Sequence, residues 1–144
     1  MPIRFRNIVA GAAELESLMG LPSELVIKKQ LAELDDHMQA FVARSPFLLL
    51  GTVGKSGLCD VSPRGDVPSA ATVLDSRTLA IAERPGNRRA DSLRNIIETG
   101  RAGLFLLVPG VGETLRINGR ACVMRFCQSK RRVAGQDRLP VEIE

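Results

Sequence analysis

The stretch FLLLGTVGKSGLCDVS, residues 47–62, decides the fold, because it sets two short apolar runs on either side of a Gly-Lys-Ser-Gly turn. Runs of this kind, bounded by turn residues, are typical of neighbouring antiparallel strands. The same texture continues in SAATVLD and TLAIAE and returns in AGLFLLVP and ETLRINGRACVMR. We therefore predict six strands and a mainly β fold with flanking helices, arranged as a small barrel over about residues 47–125. The final VEIE has the pattern of a further strand that begins there.

Helical periodicity precedes the strands and interrupts them once. Over residues 22–44, apolar side chains recur at spacings of three and four, which predicts one amphipathic helix with Ser23 as its cap. These apolar side chains are Ile27, Leu31, Leu34, Met38 and Phe41. Residues 90–99 repeat the spacing and predict a second helix, with Asp91 as its N-cap and Gly100 just after its end.

The bulk properties favour a single domain over residues 1–144, since a typical domain has about 100–200 residues. No apolar run is long enough to span a membrane, and the first residues lack the order of a secretory signal, so we expect a cytoplasmic protein. The three cysteines form no CxxC pair and His37 is the only histidine, so we expect neither a disulfide framework nor a metal site. The sequence also lacks the motifs of a hydrolytic triad and of the GxxxxGK and GxGxxG phosphate loops.

Arg88 and Arg89 lie directly before the second predicted helix, in the stretch ERPGNRRADSL. The N-terminus of a helix carries unpaired N–H groups and the positive end of the helix dipole, so two cations there oppose helix stability. A bound phosphate would convert this repulsion into charge-assisted hydrogen bonds, and the preceding Pro-Gly turn would let backbone amides approach it. A solvated basic corner is the alternative, and the residues alone do not choose between the two.

Two further segments carry polar residues that could face a ligand. In DVSPRGDVPS the prolines and glycine predict a bulge or loop that presents Arg64 and Asp66, either to a ligand or to each other as a structural pair. In GETLRINGR, strand alternation places Thr114, Arg116 and Asn118 on one face and the intervening leucine and isoleucine on the other. Simple surface exposure is the alternative explanation of this polar strip.

Four blocks in this order, SPFLLLGT, DVSPRGD, ERPGNRRADSLRNI and ETLRINGRA, resemble those of the pyridoxamine 5′-phosphate oxidase-like, FMN-binding split-barrel flavoproteins, in particular of an uncharacterised bacterial branch. The resemblance runs from about residue 21 to residue 121. It implies a six-stranded split β-barrel that forms a homodimer, with two FMN molecules in clefts between the subunits. The oxidases' C-terminal substrate-binding segment has no counterpart here, so pyridoxamine 5′-phosphate oxidation is not implied. Chains of the branch usually continue further, so we expect the C-terminal end to be incomplete.

The resemblance also implies which residues contact FMN. The Asn-Arg-Arg triplet falls on the motif that grips the FMN phosphate, and the DVSPRGD block belongs to a strand pair that contacts the cofactor. The Ala-Glu pair before the Pro-Gly turn falls where the oxidases line the flavin. Two residues of the ETLRINGRA block would reach the isoalloxazine edge from the partner subunit, where the arginine would stabilise the reduced flavin. The implied set is Ser62, Arg64, Ala82, Glu83, Asn87, Arg88, Arg89, Thr114 and Arg116.

We therefore predict an FMN-dependent oxidoreductase that acts on an unknown small-molecule substrate or electron donor, with the flavin itself accepting hydride. A flavin-binding carrier or sensor without catalysis is the second hypothesis, because the oxidases' substrate segment is missing. A nucleic-acid-binding barrel is the third, suggested by the net charge of +4. An aromatic content of 3% disfavours it, since single-strand readers stack bases on aromatic side chains. Haem or a deazaflavin in place of FMN stays open.

Overall fold

A computed structural model of the chain describes residues 7–84 and 88–124 in full and the backbone of residues 138–143. The chain divides into two compact units, Met1–Leu31 and Ala32–Glu144. The first unit contains two short helices, α1 (Ala12–Met19) and α2 (Glu24–Lys28). Among the described residues, no helix is long and apolar enough to cross a membrane.

The second unit is built on one antiparallel sheet of seven strands, flanked by two helices. The strands are β1 (Phe47–Val53), β2 (Cys59–Gly65), β3 (Thr72–Asp75), β4 (Thr78–Ala82), β5 (Arg101–Leu107), β6 (Thr114–Ala121) and β7 (Arg138–Ile143); the helices are α3 (Asp36–Ala43) and α4 (Asp91–Thr99). The strand order is β2-β1-β5-β6-β7-β4-β3. All six predicted strands are present, β7 contains most of the final stretch, and the mainly β fold with flanking helices is confirmed. Within the described ladders β2 and β3 are the two edges, and no pairing joins them into a closed barrel.

The prediction of one continuous helix over residues 22–44 is wrong in its middle, where the chain leaves helical geometry between α2 and α3. Leu34 explains the break, because its side chain is buried and its N–H donates to the carbonyl oxygen of Ser76, 2.7 Å away, between β3 and β4. The Asp35 carboxylate then accepts a hydrogen bond of 2.8 Å from the backbone N–H of Met38 and caps the start of α3. A tertiary hydrogen bond and the burial of one leucine therefore override a regular apolar spacing.

The core of the second unit comes from alternate positions of the central strands. Leu48 and Leu50 of β1 and Leu104 and Leu106 of β5 are at most 2% exposed, and Ile96 of α4 is buried against the same cluster. Burying a side chain of this size stabilises the fold by about 1.5–3 kcal/mol. The strand alternation that builds the core also decides which residues of β2 face α4.

The packing of α4 on the β1–β2 hairpin positions the start of this helix beside β2. The Asn95 side-chain amide donates to the Thr52 hydroxyl at 3.1 Å, and the backbone N–H of Lys55 donates to the Glu98 carboxylate at 3.0 Å. Gly54 permits this close approach, because a Cβ atom there would lie 2.7 Å from the Asn95 side-chain oxygen. The helix is thus fixed to the hairpin at its C-terminal half, and its N-terminus points to the region described next.

Candidate functional site

A depression of about 500 Å³ lies between β2, the segment after β4 and the start of α4, and we call it the cleft. Asp60, Ser62 and Arg64 line it from β2, and all three are half-buried because alternate residues of a strand share one face. The other charged lining residues are Glu83, Arg84, Arg88, Arg89 and Asp91. Four arginines therefore face three carboxylates across a small volume.

The segment from Cys59 to Gly65 is a regular strand, so the prediction of a bulge or loop in DVSPRGDVPS is wrong over this range. Each residue from Cys59 to Gly65 has a partner in β1, and Pro63 lies opposite Leu49. A proline is tolerated here because β2 is at the edge of the sheet, where the missing N–H can lie on the unpaired side. Regular pairing, and not a loop, is what aims Arg64 into the cleft.

Hydrogen bonds connect the three β2 side chains to the first turn of α4. The Ser92 hydroxyl, only 3% exposed, donates to the Asp60 carboxylate at 2.5 Å and lies 2.8 Å from the Ser62 hydroxyl. The Arg64 guanidinium donates to the Ser62 oxygen through two N–H groups at 3.4 Å. The wall of the cleft is therefore a connected row of polar groups that ends in a cation on one side and a carboxylate on the other.

Two ion pairs tie the end of β2 to the segment that follows β4. Arg64 pairs with Glu83, and Arg84 pairs with Asp66, so Arg64 and Asp66 do not pair with each other. Arg64 and Glu83 are the more sheltered pair, with side chains 15% and 28% exposed. The hydrogen bond from Arg84 lowers the pKa of the Asp66 carboxyl below its ordinary value, with a smaller contribution from the Val67 N–H, while burial opposes the shift. Arg64 thus lines the cleft, whereas Asp66 does not line it and instead pairs with Arg84 at its edge.

Arg88 and Arg89 are exposed and lie at the mouth of the cleft, before α4. Ala90 is the N-cap of α4, so the assignment of Asp91 as N-cap is wrong. The Asp91 carboxylate instead accepts an ion-paired hydrogen bond of 3.0 Å from Arg89. No side chain in the described part caps this helix end, and Arg88 and Ala90 both have left-handed backbones, with φ of 64° and 55°. Left-handed geometry costs a residue other than glycine about 1–2 kcal/mol, so this entry to α4 is strained.

The remaining predicted site residues lie apart from the cleft or outside the described residues. Thr114 and Arg116 are on the exposed face of β6, opposite buried Ile117, as the alternation predicted. Ala82 is half-buried at the end of β4 and does not line the cleft. Asn87 lies outside the described residues. The residues that the structure brings together from the predicted set are Ser62, Arg64, Glu83, Arg88 and Arg89.

Sequence reasoning missed Asp60 and Ser92. The signal for Asp60 is the alternation of a strand, which places it on the same face as Ser62 and Arg64 once β2 is recognised as regular. The signal for Ser92 is helical spacing, since it lies four residues before buried Ile96 and therefore faces the sheet. Both signals depend on assigning the secondary structure correctly first.

The opposite face of the same strands carries a second depression of about 450 Å³, which we call the outer hollow. Its floor is flat because Gly51 and Gly103 lie opposite each other on β1 and β5. Val53, Cys59 and Val61 line it from the hairpin. Cys59 is exposed and free. In the described chain, no group of three or more histidine, cysteine or acidic side chains is placed to hold a metal ion.

Several solved structures share this fold. A Lactobacillus delbrueckii protein provisionally named a pyridoxamine 5′-phosphate oxidase is 20% identical, with a TM-score of 0.62 over 81% of this chain and 94% of that chain. A FAD-binding protein from Mesorhizobium loti is 13% identical, with a TM-score of 0.51 over 78% and 91%. HutZ, the heme storage protein from Vibrio cholerae, is 13% identical, with a TM-score of 0.52 over 77% and 90%. At these identities the likeness concerns the fold alone.

No curated protein sequence matches the chain. Residues 34–139 match the family model of pyridoxamine 5′-phosphate oxidase. The matched range covers more than half of the 144 residues and includes β1 to β6, α4 and every residue that lines the cleft. The four sequence blocks, the sheet and the family match therefore agree, and this chain belongs to the pyridoxamine 5′-phosphate oxidase family.

Proposed function

We propose that the chain is an FMN-binding flavoprotein and that the cleft holds the phosphate end of the cofactor. The observation that carries the proposal is the placement of Arg64, Arg84, Arg88 and Arg89 around an uncapped helix N-terminus. Unpaired N–H groups of a helix and arginine guanidinium groups are the usual donors to phosphate in proteins. An anion in the cleft would relieve the repulsion between the exposed arginines and the positive end of the α4 dipole.

The residues present fit the phosphate end of a flavin nucleotide. Arg88 and Arg89 are exposed at the mouth of the cleft, while Arg64 is more deeply placed and ion-paired with Glu83. Arg89 already bonds Asp91, so its guanidinium offers the ligand only its remaining donors. The likeness to a FAD-binding protein and the family membership support a flavin as the ligand. When bound, the flavin would supply hydride or electron transfer, and the protein would supply its binding and orientation.

Haem is the rival ligand, because the fold also resembles a heme storage protein. Haem iron needs an axial side chain such as histidine, cysteine, methionine or tyrosine. None of these residue types lines the cleft within the described residues. His37 is exposed on α3 and does not line the cleft. The lining chemistry therefore favours a phosphate-bearing ligand over haem.

We further propose that the protein acts as a homodimer with the cofactor between the subunits. The support is the exposed polar strip of β6, which is separate from the cleft of its own chain and could reach a cleft only on a second copy. Thr114 and Arg116 of the partner subunit would then approach the isoalloxazine ring, as the family resemblance implies. A cation at that edge would stabilise the reduced, anionic flavin.

We propose an FMN-dependent oxidoreductase and not a passive carrier, with a substrate and an electron donor that differ from those of the oxidases. The side chains that line the cleft bind and orient, and no acid or base is assigned among them. Steady oxidation of NADH or NADPH with an added electron acceptor would support catalysis, whereas stoichiometric flavin binding without turnover would favour the carrier.

The decisive experiment is a spectroscopic titration of the full chain with FMN. We expect purified protein to show the visible flavin bands, or to acquire them at one FMN per chain with quenched flavin fluorescence. Parallel titrations with riboflavin, which lacks the phosphate, and with haem separate the ligands. Colourless protein that binds no added FMN would overturn the proposal. Equal affinity for riboflavin and FMN would contradict the part of the proposal that places the phosphate in the cleft.

A further inference from the structure

The hydrogen-bonded row Asp60–Ser92–Ser62–Arg64 has a fixed direction. A carboxylate oxygen only accepts, so the proton of the 2.5 Å bond between Ser92 and Asp60 comes from Ser92. A hydroxyl has one proton, so Ser62 must supply the proton in its 2.8 Å bond with Ser92. Arg64 then donates to the remaining oxygen lone pairs of Ser62. Every proton of the row is therefore directed toward Asp60.

This direction gives the cleft two chemically different walls. Ser62 and Ser92 have no proton left for a ligand, so the β2 wall presents acceptors, chiefly the Asp60 carboxylate. The opposite wall presents donors, namely Arg88, Arg89 and the first N–H groups of α4. An anion alone satisfies only the donor wall.

Within the described residues, Asp60 forms no ion pair with any arginine that lines the cleft. Arg64 pairs with Glu83, Arg84 with Asp66 and Arg89 with Asp91. Within the described residues, Ser92 is the one side chain that donates to Asp60, and it bonds a single carboxylate oxygen. The second oxygen is available to a ligand, and a half-buried carboxylate oxygen gains most from a hydrogen-bond donor.

We propose that Asp60 is a hydroxyl-recognition residue, positioned by Ser92, which makes the cleft selective for a phosphate ester whose chain carries hydroxyl groups next to the phosphate. Inorganic phosphate and alkyl phosphates would engage the donor wall and leave Asp60 unsatisfied. The inference rests on the proposed phosphate seat at Arg88 and Arg89. It assigns the neighbouring part of the cleft to a polyol chain, such as the ribityl chain of FMN.

The test compares two ligands that share a phosphate and a five-carbon chain, ribitol 5-phosphate and pentyl phosphate, by calorimetric titration of the full chain. We expect ribitol 5-phosphate to bind about tenfold or more tightly, as one hydrogen bond to a charged group provides. Asp60→Asn keeps the shape but places an amide NH₂ or a neutral oxygen toward the ligand, and should remove most of this preference. Ser92→Ala removes the hydrogen bond that positions the Asp60 carboxylate, and should reduce the preference for ribitol 5-phosphate partly. Asp36→Asn, the same charge change on α3 away from the cleft, is the control.

Equal affinity of the unmodified protein for the two phosphate esters would overturn the inference without any variant, and so would failure of ribitol 5-phosphate to bind. An Asp60→Asn protein that keeps the full preference would overturn it as well. The outcome is separable from that of the proposed function. If FMN binds and the preference is absent, phosphate binding at Arg88 and Arg89 is supported and hydroxyl recognition by Asp60 is contradicted. If FMN does not bind and the preference is present, the flavin assignment falls and the hydroxyl site stands.

Discussion

The cleft and the outer hollow lie on opposite faces of the same hairpin, and they differ mainly in how many charged side chains line them. Asp60, Ser62 and Arg64 face the cleft, where ion pairs and hydrogen bonds hold them. Cys59 and Val61 face the outer hollow, which has a glycine floor and a mainly apolar lining that also includes Asp60, Arg101 and Asn118. By alternation, one strand therefore contributes polar side chains to the cleft and mainly apolar side chains to the outer hollow. The lesson is that pocket volume, about 500 Å³ against about 450 Å³, says less about function than the direction of the side chains.

The largest expected effect is on the cleft's basic mouth. Replacement of Arg88 and Arg89 by alanine should weaken FMN binding by about 100-fold, because each would lose a charge-assisted hydrogen bond to phosphate. Fluorescence titration measures the change. The Arg77→Ala/Arg94→Ala double variant removes the same charge from exposed positions that do not line the cleft, and should keep its affinity. If both double variants lose FMN equally, net charge and not the cleft governs binding.

Neighbouring residues of β2 give the sharpest comparison of the two faces. Ser62→Val should lower the free energy of unfolding by about 1–2 kcal/mol, because Arg64 loses an acceptor and Ser92 loses a donor. Val61→Ser, on the outer face where the side chain is 65% exposed, should change it by less than about 0.5 kcal/mol. Denaturant unfolding of the two variants checks this. Equal costs at the two positions would mean that the faces do not differ in the way described.

A smaller effect of opposite sign is expected at Glu83. Glu83→Gln removes one of the three carboxylates that line the cleft and leaves Arg64 without its anionic partner. Anion binding should therefore become roughly threefold tighter, in keeping with a partly exposed ion pair. The affinity for inorganic phosphate, measured by calorimetry, is the readout. Weaker binding in this variant would show that Glu83 supports the ligand directly.

The smallest effect concerns the edge of the cleft, where Arg84 holds Asp66. Because the pKa of Asp66 is lowered from 3.8, its contribution to stability is present above that pH and is lost as the pH falls through the folded-state value. Asp66→Asn should therefore be slightly less stable than the parent at neutral pH and equal to it in strong acid. Thermal unfolding across this range tests the sign. A difference that grows on acidification would contradict the assignment.

Much of the fold is predictable because local patterns and tertiary contacts agree. The strands from β1 to β6 follow from short apolar runs between turns, and α4 follows from its spacing and Gly100. The break before α3 is not predictable, because it depends on a hydrogen bond from Leu34 to Ser76, far away in the chain. The regular strand at Pro63 is not predictable, because proline is excluded from a central strand and tolerated at an edge, and the sequence does not show that β2 is an edge strand.

The basic residues of the candidate site were predictable from the sequence, but their ion pairs and hydrogen bonds were not. Arg88 and Arg89 stand out because cations before a helix oppose its dipole. Which partner each arginine takes could not be read from the sequence, because Arg64 lies two residues from Asp66 and yet bonds Glu83. The roles of Asp60 and Ser92 depend on the packing of α4 against β2, which brings their side chains within hydrogen-bond distance.

The strand order also has a consequence for how the molecule assembles. In the described ladders, β7 is the one strand that pairs with both β6 and β4, so it alone joins β2-β1-β5-β6 to β4-β3 by backbone hydrogen bonds. β7 follows the other six strands in the chain, whereas the β1–β2 and β3–β4 hairpins are local. Local hairpins form in microseconds, but contacts between distant segments form slowly. We therefore expect the backbone hydrogen bonds that join the two halves of the sheet to form only after β7 has been synthesised.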